Sequence, residues 1–104
     1  MSGPAILAPQ AQKDLRAALR WIAADNPMAA RGLRDTVDAA SRLIGARPEI
    51  GRFRPELTSA RFRFWSLTGF PYLLVYEASV GPPRIARIVH TARDLPKVLA
   101  ELKF

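Results

Sequence analysis

The spacing of apolar residues changes near the middle of this chain, and that change limits the folds open to it. From Pro9 to Asp25, Ala11, Leu15, Ala18, Leu19 and Ile22 recur every three or four residues, with Lys13, Asp14, Arg16 and Arg20 between them. This is the pattern of an amphipathic helix. Proline suits the first position of a helix, so the apolar segment from Ala5 to Ala8 reads as a short strand that feeds it. Asp25-Asn26-Pro27 joins capping side chains to a helix-starting proline, closing one helix and opening another. In the second, Ala30, Leu33, Val37, Ala40 and Ile44 keep the helical period until Gly45 and Pro48 end it. Gly32 costs that helix some stability. The two helices form a hairpin with one apolar face to bury, and Trp21, beside the stripe, is expected to cover the edge of the core.

After Ser59 the period becomes two. Arg61-Phe62-Arg63-Phe64 alternates basic and aromatic residues, as a strand with one wet and one dry face does, and Trp65 then breaks the alternation. Tyr72-Leu73-Leu74-Val75-Tyr76 is apolar on both parities, which predicts a central strand covered on both sides. Gly81-Pro82-Pro83 turns the chain into a third strand from Arg84 to Thr91. The stretch from Gly45 to Ser59, with Pro48, Gly51 and Pro55, reads as one long loop. Leu95, Leu99 and Leu102 share a face of a final short helix that Asp94 caps. The expected architecture is therefore α+β: an N-terminal strand, an α-helical hairpin packed on an antiparallel β-meander, and a short C-terminal helix. With 104 residues there is room for one core, so residues 1–104 read as a single domain.

Composition narrows the chemistry. No stretch approaches the ~18 apolar residues needed to cross a bilayer, so no membrane partner is expected. Met1 to Leu7 lacks the charged start and apolar run of a secretory signal, which points to the cytoplasm. There is no cysteine and one histidine, His90, so disulfides, thiolate sites and a histidine-based metal cluster fall away, and no cofactor is expected. Sixteen basic against nine acidic residues give +7, which fits a nucleic acid, an acidic protein segment or plain solubility. Walker, nucleophile-elbow and dinucleotide-binding signatures are all missing.

Two local features carry possible chemistry. Arg47, Arg52, Arg54, Arg61 and Arg63 interleave with Phe53, Phe62, Phe64 and Trp65. Exposed rings there would stack on single-stranded RNA while the guanidinium groups hold phosphate. Alternatively, Phe62 and Phe64 are core residues at strand spacing, with Arg61 and Arg63 on the solvated face. His90 and Arg93 end the last strand, where they would suit proton transfer and charge stabilisation in metal-free RNA cleavage. The structural alternative pairs Arg93 with a carboxylate such as Asp94 or Glu77, or has it donate to helix C-terminal carbonyls.

The order of elements, together with Asp14-Leu15, Asn26-Pro27, Ala29-Ala30, Pro48, Gly51 to Leu57, Pro71 to Tyr76 and Ile88 to Asp94, resembles the RelE/ParE toxin superfamily. The Tyr-centred strand followed by a His-x-x-Arg-Asp ending carries most of that resemblance. RelE-like members cleave ribosome-bound messenger RNA with basic residues on the middle strands, an Arg at the end of the last strand and a C-terminal Tyr or His. Arg93 matches that Arg. Leu73 stands where a catalytic Arg is expected, Phe64 and Ser66 where basic residues are expected, and Leu99 near the place of the catalytic aromatic. A site missing these parts loses most of its transition-state stabilisation.

The departures favour the ParE-like branch, which acts on DNA gyrase without nuclease chemistry. The resemblance thus implies a toxin of a type II toxin–antitoxin system, with no catalytic residues, gyrase as its target and a cognate antitoxin as its partner in a hetero-oligomer. A RelE-like messenger RNase is the runner-up. Target contact is expected at Arg61, Arg63, Trp65, His90 and Arg93. The antitoxin's amphipathic tail is expected on Leu15, Leu19, Trp21, Leu73 and Leu99, because a sheet covered by one hairpin leaves its second face partly open.

Overall fold

The computed structural model describes residues 3–78, 81–93, 95–100 and 102. A two-residue strand β1 (Ile6–Leu7) leads into helix α1 (Pro9–Ala23), with Pro9 in its first turn. Helix α2 (Pro27–Ala46) starts from Asn26, whose side-chain oxygen accepts from the backbone N–H of Ala29 at 3.1 Å. Strands β2 (Arg63–Ser66), β3 (Tyr72–Glu77) and β4 (Arg84–His90) follow, then a single short helix α3 (Leu95–Leu99). The sheet order is β1-β4-β3-β2. The three later strands are antiparallel and β1 lies parallel to β4, so the expected meander gains a parallel edge.

The hairpin covers one face of this sheet. Ala11, Leu15 and Ala18 of α1 and Leu33, Val37, Ala40 and Ile44 of α2 pack with Leu74, Tyr76, Ile85 and Ile88. These are the helical positions that the apolar spacing singles out. Ile85 and Ile88 are three apart yet share this face, which strict alternation forbids. A bulge explains it: Val75 pairs with Arg87 and Tyr76 with Ile85, so Ala86 is an extra residue on β4.

Four expectations are corrected. Helix α2 runs through Gly45 to Ala46, because the N-terminal segment crosses so closely that a Cβ on Gly45 would sit 2.3 Å from the Gly3 carbonyl oxygen. Glycine at 45 therefore permits a crossing and does not end the helix. The stretch after it is no plain loop: Pro48–Ile50 forms a 3-10 turn, and Arg52 bridges to Phe64 beside β2. Trp21 is 79% exposed and does not cover the core edge. Finally, the second sheet face is covered. Phe62, Phe64, Leu73, Val75 and Val89 form a second apolar cluster with Leu99, closed by Leu57, Leu95, Val98 and Leu102. The three leucines of the C-terminal segment thus meet the same cluster, as their spacing predicts, whereas Asp94 lies outside the described residues.

Candidate functional site

The residues expected to touch a target fall into two places. On the β2 side, Arg61 pairs with Glu77, and Arg63 donates to the carbonyls of Glu49 at 3.1 Å and Gly51 at 3.0 Å while lying 4.0 Å over the Phe53 ring. Both side chains already hold the protein's own loop and strand. Trp65, half-buried, packs on the hairpin side. Phe62 and Phe64 are buried, so the core reading of that alternating segment holds, and the strand itself begins at Arg63.

A groove of about 790 Å³ opens beside these residues, with Arg52, Phe53, Arg54, Phe64, Ser66 and Leu73 among its walls. It occupies the region where the resemblance puts RNA cleavage. Arg54 lies over Phe64 and pairs with Glu56 at 3.2 Å. That contact, with backbone hydrogen bonding as the larger cause, holds the Glu56 carboxyl below its ordinary range. The groove walls include no His or Tyr, the usual proton carriers for such cleavage.

His90 and Arg93 lie elsewhere. His90 meets Tyr72 edge-on, with ring centroids 5.1 Å apart at 82°, and Tyr72 belongs to the hairpin-side core. Leu73 and Phe64 of the groove belong to the opposite cluster. His90 at the end of β4 and Arg93, in the turn beyond it, line a depression with Tyr72 and Ile88 on the hairpin side, away from the arginine-lined groove. Arg93 makes no ion pair with Glu77, which is taken by Arg61.

The residues expected to meet an antitoxin also divide. Leu15, Leu73 and Leu99 are 8%, 7% and 1% exposed, so a partner reaches them only by displacing what covers them. Leu19 is half-buried and Trp21 exposed. Leu19 lines an apolar groove of about 420 Å³ between α1 and α2, rimmed by Arg20, Arg31 and Arg34. Sequence reading missed that rim, since the arginines look like ordinary solvated helix positions until the hairpin brings them together.

It also missed the Asp14–Arg87 pair. Asp14 accepts from Arg87 Nε at 2.9 Å, from its Nη2 at 3.3 Å and from the Ile88 backbone N–H at 2.9 Å, with both side chains nearly buried. Among the described residues no cluster of His, Cys, Asp or Glu could hold a metal, and no helix is long and apolar enough to cross a membrane.

Residues 5–95 match the family described as the ParE toxin of the type II toxin-antitoxin system, parDE. The chain belongs to the ParE toxin family. Of solved structures, a chain of the chromosomal ParDE toxin-antitoxin system from P. aeruginosa is similar in fold, with a TM-score of 0.71. The match covers 85% of this chain and 95% of that one at 17% identity. No curated protein matches in sequence. For this ParE-family chain, α+β architecture and family thus agree, and the strand, hairpin, sheet and final helix stand in the order the resemblance implies.

Proposed function

We propose that this toxin arrests growth by binding and inhibiting DNA gyrase in the cytoplasm, without cutting nucleic acid itself, and that a cognate antitoxin silences it by direct contact. One observation carries the non-nuclease part. The arginine-lined groove beside Leu73 has neither His nor Tyr in its walls, and His90 lies on the opposite face of the sheet, so the arginines of the groove have no imidazole or phenol beside them for proton transfer. Family membership supports the antitoxin, and a charge of +7 suits an acidic segment that folds on binding.

The test combines two assays on the purified chain. Gyrase supercoiling is expected to stop as toxin is added and to resume with the antitoxin encoded beside it. Translated messages are expected to show no codon-spaced cuts by primer extension. Supercoiling that persists at saturating toxin rejects the proposal. The second reading, a RelE-like messenger RNase, draws on exposed Arg52 and Phe53 in the groove, which offer charge and a stacking ring to RNA. Ribosome-dependent cleavage that Arg52→Ala abolishes would establish it instead.

A further inference from the structure

Among the described residues Trp21 is the most exposed of the large apolar side chains, and it stands at the rim of a depression of about 270 Å³ where α1 passes the end of the sheet. Ala18 of α1, Tyr72 of β3, His90 of β4 and Arg93 line the same depression. The polar groups there are almost all donors. Asp14 lies in its wall, but the carboxylate is occupied by Arg87 and the Ile88 N–H. His90 Nδ1 accepts from the Ala92 N–H at 3.0 Å, and this bond assigns the proton of the neutral ring to Nε2. Arg93 has no carboxylate within 4.0 Å among the described residues. The indole N–H only donates. Among the described side chains that line the depression, the Tyr72 hydroxyl is the one group left with accepting capacity.

A small cavity that offers donors under an aromatic plate selects an acceptor on a short apolar stem. We infer that Trp21, His90 and Arg93 form a docking point for a carboxylate side chain on an acidic segment of the protein that this toxin inhibits, with the Trp21 indole closing over its stem. Arg93 supplies the planar fork that matches a carboxylate, and Trp, Tyr and Arg are the side chains that dominate binding energy at protein interfaces. The volume holds one or two side chains and not a helix, which fits a grip on a preformed target surface. The inference rests on the proposed function. It moves Trp21 from the antitoxin surface to the target surface and separates His90 and Arg93 from Arg61, Arg63 and Trp65.

Wild-type toxin and the variants Trp21→Ala, Arg93→Ala, Arg93→Lys and Arg42→Ala are titrated against gyrase holoenzyme and, separately, against the cognate antitoxin. Arg42 is an exposed helix residue that removes the same charge away from the depression. Trp21→Ala and Arg93→Ala are each expected to weaken gyrase inhibition tenfold or more, with Arg93→Lys recovering part of the loss and Arg42→Ala changing it less than twofold. Circular dichroism melts that match the wild type show that the fold is kept, as expected for exposed positions. Variants that inhibit as well as the wild type overturn the docking point and leave the proposed function standing. Variants that lose antitoxin binding alone also overturn it, assigning the depression to the antitoxin. A wild type without effect on gyrase overturns both readings.

Discussion

Tyr76 shows what one side chain contributes once a strand brings it under a distant loop. Its hydroxyl donates to the Pro48 carbonyl at 2.7 Å and accepts from the Gly51 N–H at 2.8 Å, joining the 3-10 turn to the middle of the sheet. The approach is close enough that a Cβ on Gly51 would lie 2.6 Å from that hydroxyl, which explains the glycine. Tyr76→Phe leaves a buried N–H without a partner and is expected to cost about 1–3 kcal/mol in urea unfolding. Burial, the largest cause, raises the pKa of Tyr76 above its ordinary 10.0, and Tyr72 shifts the same way. The contribution is fully present below the unfolded value and is lost as pH rises through the folded one. Stability of the wild type should therefore fall above about pH 10, and Tyr76→Phe should flatten that fall. An unchanged alkaline limb in the variant would contradict the assignment. The sequence marks Tyr76 as a core strand residue; its partners, 25 and 28 positions away, depend on where the turn lands.

At the scale of elements, the hairpin was the most legible part, because helical period, Asn26 and two prolines act within a few residues of one another. Less legible was what fastens it to the sheet. Arg87 stands among Ile85, Ala86, Ile88 and Val89 of β4, yet the bulge at Ala86 changes the alternation and the side chain meets Asp14 of α1. Replacing Asp14 by Ala takes the carboxylate away from a buried guanidinium and frees the Ile88 N–H, which should cost about 3–5 kcal/mol. Adding Arg87→Met to Asp14→Ala should restore much of that loss, since an apolar side chain no longer requires the carboxylate. Denaturant midpoints of the two single variants and the double variant measure the coupling. Single variants within 1 kcal/mol of the wild type would show the pair to be a surface bridge in effect.

Across the whole molecule, the sheet is buried on both faces, by the hairpin on one and by α3 with Leu57 and Phe62 on the other. Leu99 is the fully buried side chain of α3. Leu99→Ala is expected to cost about 2–5 kcal/mol and to raise binding of an apolar dye, as the cluster around Leu73, Val75 and Val89 loosens. Dye binding at the wild-type level together with an unchanged midpoint would mean that α3 contributes nothing to this face. The same packing accounts for the mixed outcome at the expected partner surfaces. Leucines that look available in a linear pattern are covered, while Trp21, which looks like a core edge, faces solvent.

Periods, caps and turn residues express local chemistry, so the sequence by itself determined the helices, the strands and their order. Tertiary structure alone decided which face each functional candidate occupies: it divided His90 and Arg93 from the arginine-lined groove, gathered Arg20, Arg31 and Arg34, and set Asp14 on Arg87. The physical reason is that a single bulge or a covering helix reverses the exposure of residues far away in the chain, and no short-range pattern records it.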